Sequence, residues 1–461
     1  MIDLLIKNAQ IFSESDSFCG DIAISDGKII QMGIEIAPSN TSQVLDAAHK
    51  YLLPGGVDPH VHIRYPGSAH RETFVTGTMA AAAGGTTTIV EHPISTPPQY
   101  SPETLAPRVD AVKQQAIVDV AFLGAAGGKK TEEISRLAEA GVCGFKTFLH
   151  AAPEGREKEF IGLTSETNYE LLQVMKEVGK TGLLMAAHGE DNDIVSGAIN
   201  HLRKENRRAP IDHAASRPSL AEALAVDRLI RIAESIHCDI YLVHISTPEA
   251  VEAAKMARQR GKIKVWIETC PQYLYLTEKA LNQFGAYAKC NPALRTQEQV
   301  DKMWSYIADG TIDTVGSDHA PYTVEEKERH PEDIFLAPAG FPGLETRMGL
   351  MLKAVADKKI TLRRAVDLIA TNPAKAYGLY PQKGAIKIGA DADFVLCDPY
   401  AEYVVDREKM FTKAKDTAKV FDGWKLNGVI DKVFLRGEII YQDGTVVGKP
   451  GYGKSLLKGQ A

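Results

Sequence analysis

His60 and His62 stand two residues apart in an apolar, β-branched run, 56–63 (GVDPHVHI). Residues i and i+2 of a strand face the same side, so both imidazoles can reach one ion. Three more metal-capable side chains occupy the same place in later runs of this kind. His188 ends 182–188 (GLLMAAH), His244 is next to last in 239–245 (DIYLVHI), and Asp318 ends 312–318 (IDTVGSD). A lone histidine at a strand end is more often a core residue with a hydrogen bond than a ligand, and HxH by itself leaves both readings open. Four histidines and a carboxylate at the ends of four such runs point instead to a site for a divalent transition metal, with zinc the default. The other nine histidines (His49, His70, His92, His150, His201, His213, His237, His319 and His330) lack this pattern and read as surface, cap or supporting residues. His319 directly follows Asp318, so on a strand it faces the other way.

Lys146 is the odd residue of another run, 144–149 (GFKTFL), where it sits between two phenylalanines. Lysine is almost never fully buried without a partner. It either reaches water at the rim or serves as a neutral buried base. Beside a metal cation its own charge has to be removed.

Eight β-like runs supply the positions for these side chains: 56–63, 86–91, 118–124, 144–149, 182–188, 239–245, 263–269 and 312–318. Amphipathic stretches lie between them, among them 73–83, 131–140, 166–179, 219–236, 247–260 and 296–309. Strands alternating with helices imply parallel βαβ units and an α/β fold. Eight units fit a closed (β/α)8 TIM-type barrel, whose active face is the C-terminal rim of the strands, where the histidines and Asp318 fall. An open doubly wound sheet is the rival. The first run is the weakest of the eight, because Pro59 lies inside it.

The two ends read differently. Residues 1–50 and 384–447 hold short strand-like pieces punctuated by the turn pairs Asp26-Gly27 and Asp443-Gly444. Neither end has enough strands for its own core. They are expected to pair into one small β-sandwich-like domain, with two separate β ornaments as the alternative. The expected division is 1–53 and 381–461 for this domain and its tail, and 54–380 for the barrel.

Composition narrows the class. Of 461 residues 44% are hydrophobic and 24% charged, near globular averages, which excludes disorder and coiled coil. A net charge of −6 without a basic block argues against nucleic acid or an anionic membrane as partner. No run of about 18 apolar residues appears, so no membrane span is expected. The opening MIDLLIKNAQ lacks the layout of a signal peptide. The six cysteines (Cys19, Cys143, Cys238, Cys270, Cys290 and Cys397) form no CxxC pair, so reduced thiols in a cytoplasmic protein are expected.

The chain as a whole resembles the cyclic amidohydrolases of the amidohydrolase superfamily: hydantoinases, dihydropyrimidinases, allantoinases and dihydroorotases. The resemblance is carried by PGGVDPHVHI (54–63), AAAAGGTTTIVEHP (80–93), GFKTFL (144–149), AAHGE (186–190), VHIS (243–246), ETCPQYL (268–274), NPALR (291–295), GSDHAP (316–321), GLETR (343–347), the stretch 372–399 and FDGWKLNG (421–428). It implies two divalent metal ions and a CO2-derived carbamate on Lys146, which would resolve that residue's charge. It implies His60, His62 and Asp318 on one ion, His188 and His244 on the other, and Lys146 on both. It also implies a homo-oligomer, tetramer or dimer, acting on a small cyclic amide. Two such cations lower the pKa of a water between them from 15.7 toward about 7, so hydroxide exists at neutral pH. Asp318 is the choice for the general base that returns the proton to the leaving nitrogen.

The ring itself is less sharply specified. Arg64 lies two residues past His62; dihydroorotases use an arginine there for the substrate carboxylate, and a rim salt bridge is the plain alternative. Asn291 could hydrogen-bond a ring amide, as its family counterpart does, or be an ordinary loop residue before Pro292. Tyr322, Ala339 and Gly340 complete the expected substrate-binding set. Against dihydroorotase, Ile94 replaces an expected Asn and Tyr322 an expected His. Against the D-selective hydantoinases, Ala151 stands where they carry a Tyr. The expected reaction is hydrolysis of the ring amide of a hydantoin-type ureide, either allantoin or a 5-substituted hydantoin. Dihydroorotate and dihydropyrimidines follow as alternative substrates. A non-catalytic scaffold and a single-metal deaminase-like enzyme are the other readings. Loops 63–72, 92–100, 150–163 and 319–345 should shape the pocket. Segment 153–159 (PEGREKE) reads as a solvated loop, with a lid as its alternative.

Overall fold

A computed structural model describes residues 1–13, 17–153 and 155–459. Glu154, within the charged 153–159 segment, lies outside them. Among the described residues eight strands form one parallel sheet in sequence order: β1 (Gly56–Val61), β2 (Thr86–Glu91), β3 (Asp119–Ala125), β4 (Gly144–Phe148), β5 (Leu184–His188), β6 (Ile240–Leu242), β7 (Val265–Thr269) and β8 (Thr314–Val315). The expected TIM-type barrel is therefore present, and the open doubly wound order is not. Almost every strand residue is buried, as strands covered on both faces must be. The connecting helices start where the sequence supplies caps. Asn168–Thr181 opens on a Thr167–Glu170 capping box and ends at Gly182, whose φ of 69° suits a residue without Cβ.

β6 and β8 are much shorter than the runs that announce them. The backbone explains this: His244 and Asp318 have φ of 42° and 47°, outside the β region, so the ladders break just before them.

β1 and β8 do not share a ladder, but the seam between them is sealed. His62 N donates to His319 O at 2.9 Å, and Val61 bridges His319. Below, the fully buried Arg347 donates to the Val57 and Val315 carbonyls at 3.1 and 3.0 Å. Closure thus brings the HxH imidazoles next to Asp318. His319 itself faces outward as expected, its Nε2 3.4 Å from Glu72.

The two ends of the chain build one mixed sheet. Its strands are Ile2–Phe12, Ser17–Ser25, Lys28–Gly33, Thr41–Asp46 and Tyr51–Pro54 from the front, and Phe394–Val404, Lys425–Leu435, Glu438–Gln442 and Thr445–Val446 from the back. The junction is antiparallel, with Leu53 opposite Val395. Both turn pairs have positive φ at both residues (Asp26 50°, Gly27 72°; Asp443 49°, Gly444 82°), the backbone that Asp-Gly hairpins adopt. A separate apolar cluster, including Ile6, Ile11, Ile22, Leu52, Phe394 and Phe434, fills this sheet.

A buried ionic cluster ties the sheet to the barrel floor. Asp119 at the start of β3, Asp391 and Asp393 bring three carboxylates together, and Lys383 Nζ sits among them, 2.9 Å from Asp391 and 2.8 Å from Asp393 and bonded to Asp119. Arg436 reaches Asp119 at 2.6 Å and Lys28 reaches Asp391 at 2.6 Å, so three cations balance three carboxylates. The lysine fills the centre a metal would need. Removing it leaves buried carboxylates uncompensated, so Lys383→Met is expected to cost about 3–5 kcal/mol of stability. Chemical denaturation measures this, and a loss below about 1 kcal/mol, the size of an exposed pair, would contradict the lock.

Candidate metal centre

Lys146 is fully buried in β4, and its register explains how. Its partners on the flanking strands are Ala125 and Ala186, two small residues that leave room for a long side chain in the barrel interior. Its Nζ has no hydrogen-bond partner. Burial lowers its amine to about 7, against the pull of Glu268 and Asp318. Its charge acts on His60, His62, His188 and His244, which places it among them.

The two halves of the site have matching geometry. His60 Nε2 and His62 Nε2 lie 3.4 and 3.5 Å from Asp318 Oδ1. His188 Nδ1 lies 2.9 Å from His244 Nε2. Ligand atoms on a tetrahedral zinc are about 3.3 Å apart, close to these separations. The tautomers are set from behind. His60 Nδ1 donates to Glu268 Oε1 at 2.8 Å, leaving Nε2 as the lone pair toward Asp318. His188 Nε2 donates to Glu190 at 3.0 Å, leaving Nδ1 toward His244. Burial holds all four imidazoles below their ordinary pKa, in the neutral form a ligand needs, and pushes the Asp318 carboxyl up. Neutral lone pairs and a buried unpartnered amine make a donor set that fits divalent metal.

His60, His62, Arg64, His188, His244, Asn291, Asp318, Tyr322, Ala339 and Gly340 line one cavity of about 80 Å³. With Lys146 buried beside the histidines, all eleven residues singled out in the sequence come together. Asn291 Oδ1 is buried in it without a partner. All four loops expected to shape the pocket contribute, Ile94 and Phe160 among them. A larger cavity of about 390 Å³, lined by Glu345, Tyr403 and Tyr441, lies against the terminal sheet and contains no histidine.

Sequence reading passed over four features. Glu268, in β7, holds His60 from one oxygen, which also accepts the His244 backbone N–H at 2.9 Å, while its other oxygen accepts from Tyr241 at 2.9 Å. One carboxyl therefore braces both halves. Its signal was available: a lone acid in an apolar strand. His92 stacks on His60 with ring centroids 3.8 Å apart and donates to Pro59 O at 3.0 Å; it follows β2 at the same rim. His150, two residues past β4, lines the cavity 5.0 Å from the His188 ring. The fourth revises the solvated reading of 153–159 in part: Pro153 and Arg156 line the cavity and Glu159 is buried, while Gly155, Glu157 and Lys158 are exposed. Ion pairs draw the Arg156 and Glu159 side chains inward, and charge composition alone hides that.

Known proteins resemble the chain along nearly its whole length. The model of the Amidohydrolase family matches residues 51–440. A D-hydantoinase of Ralstonia pickettii is 34% identical, with 99% of each chain covered. An allantoinase of Salmonella newport (strain SL254) is 35% identical, again over 99% of each chain. Among solved structures, an L-hydantoinase (dihydropyrimidinase) from Arthrobacter aurescens superposes with a TM-score of 0.94 at 30% identity, covering 99% of this chain and 100% of its own.

Proposed function

The chain belongs to the amidohydrolase family, and on that premise we propose that it hydrolyses a ring amide C–N bond of a hydantoin-type ureide, allantoin or a 5-substituted hydantoin. The relatives named for hydantoinase and allantoinase activity support a five-membered ring. We assign His60, His62 and Asp318 to one divalent ion, His188 and His244 to a second, and Lys146 as a carbamate to both, with zinc the default metal. Bound there, such ions make water a nucleophile at neutral pH and polarise an amide carbonyl.

The chain's own groups do the rest. Lys146, lowered to about 7, has a neutral fraction whose nitrogen lone pair attacks the carbon of CO2; the N–C bond forms and the nitrogen's proton leaves to solvent. Glu268 and Glu190 hold the ligand rings in register from behind. Asp318 accepts the proton of the attacking water and delivers it to the ring nitrogen as the C–N bond breaks, because amide nitrogen leaves poorly without one. Asn291 Oδ1, buried and unpartnered, accepts from a ring N–H. Ile94 and Phe160 close the apolar side. The observation that carries the reading is the buried, unpartnered Lys146 amine among four neutral histidines and Asp318. A scaffold would not need it, nor would a single-metal deaminase. The reading keeps a cytoplasmic location, expected from the cysteines, and a homo-oligomer of two or four chains. No helix among the described residues is long and apolar enough to cross a membrane.

The test is a substrate panel on metal-replete protein: allantoin, hydantoin, 5-aryl hydantoins of each hand, dihydrouracil and dihydroorotate. A hydantoin-type ring should turn over fastest. Faster turnover of dihydrouracil or dihydroorotate overturns the ring assignment, and no turnover with two ions bound overturns the enzyme.

A further inference from the structure

We propose that Arg156, on the loop after β4, makes this pocket select rings whose substituent carries a carboxylate, with Arg64 as its partner guanidinium. The inference deepens the reading of the site as a cyclic amide hydrolase and rests on it.

The argument begins with charge. Three guanidiniums gather over the Tyr322 ring, with Arg64 at 4.8 Å, Arg71 at 4.9 Å and Arg156 at 5.8 Å from its centroid. The Lys327 ammonium, pushed down to about 7 by burial, stands 5.4 Å from the same ring. Two carboxylates answer them. Glu326 pairs with Arg71 at 2.7 Å. Glu159 is shared by Arg156 at 2.5 Å, Arg71 at 3.2 Å and Arg64 at 3.4 Å, and these cations hold its carboxyl at about 2 despite burial. With Asp318, on which Arg64 also acts, assigned to the metal, one positive charge is left over before Lys327 is counted. Uncompensated charge in a buried site is costly unless a ligand answers it.

The unspent donors show where the answer must sit. Arg71 is committed through Nε and Nη2 to Glu326 and through Nη1 to Glu159. Arg64 spends Nη2 on Tyr322 Oη at 3.0 Å, while its buried Nε has no partner. Arg156 spends Nε and Nη2 on a single Glu159 oxygen, the other oxygen going to Arg71. Arg64 and Arg156 are also the two that line the cavity. The reacting amide belongs with the histidines and Asp318, so what remains for the arginines is the ring's substituent. A planar carboxylate takes two guanidinium bonds at once, and a neutral ureido or aryl group cannot cancel the charge.

The test compares two substrates that differ in charge and hardly in shape: 5-carboxymethylhydantoin and 5-carbamoylmethylhydantoin, each on metal-replete enzyme with metal content measured. Wild type should favour the acid in kcat/KM by about 10- to 100-fold, the value of a hydrogen bond to a charged group. That preference should shrink as salt rises. Arg156→Gln should bring the ratio near one, chiefly by raising KM for the acid, and Arg156→Lys should keep an intermediate ratio. Equal use of both substrates by wild type overturns the inference alone, whether or not the variants fold. An equal loss on both in Arg156→Gln, with metal retained, also overturns it, because a merely structural arginine behaves that way. Hydrolysis of neither ring, nor of plain hydantoin, overturns the proposed function and this inference with it.

Discussion

Lys146→Ala is expected to be inactive and to lose bound metal, with partial recovery when short carboxylic acids are added. The substitution is well placed to be informative. The lysine is buried between Ala125 and Ala186 and makes no hydrogen bond, so its removal breaks no network of the fold. What it removes is the one group assigned to both ions. Losing a residue behind a ligand costs about 10- to 100-fold in metal affinity or activity, so losing a shared ligand should cost on the order of 1,000-fold or more. An acetate- or propionate-sized acid can enter the space the side chain leaves and offer two oxygens where the carbamate would. Metal analysis beside turnover separates the outcomes. Wild-type rates in the variant would rule out the bridging carbamate, and with one ion per chain they would favour the single-metal alternative.

Asp318→Asn should fall further in rate than in metal content. Asparagine keeps the shape and one oxygen able to ligate, but it cannot take a proton from water and return it to nitrogen. Losing a general base costs about 100- to 10,000-fold. The fall should appear in kcat at saturating substrate, with metal largely retained. A variant that keeps both metal and rate would move the proton-transfer role elsewhere; His150, which lines the same cavity, is the nearest alternative.

What the sequence revealed follows from which physics is local. The eight barrel strands were readable because a strand buried on both faces is a continuous apolar run, and the six metal-capable residues were readable because they interrupt or end those runs. Glu268 obeys the same rule and was passed over only for lack of a partner to name. Strand ends were misjudged at β6 and β8, because nothing in DIYLVHI or IDTVGSD announces that His244 or Asp318 will take positive φ. The 153–159 loop was misjudged for another reason. Its Arg156–Glu159 pair is local, but Glu159 is also held by Arg64 and Arg71, about 90 positions earlier in the chain, and that long-range pairing leaves no local pattern. The pairing of the two chain ends was foreseen from strand count, and the Lys383 lock that fastens their sheet to the barrel was not, since its three carboxylates come from Asp119, Asp391 and Asp393.

Three residues that touch the cavity, Arg64, His244 and Asp318, have left-handed backbones, with φ of 60°, 42° and 47°. A non-glycine residue held this way costs of order 1–3 kcal/mol. Selection for durability alone would hand those positions to glycine or asparagine, which take that shape at little cost. Their present occupants are therefore a running expense that only a working rim justifies, and a descendant freed from its substrate would drift toward a sturdier, silent barrel by way of these three sites.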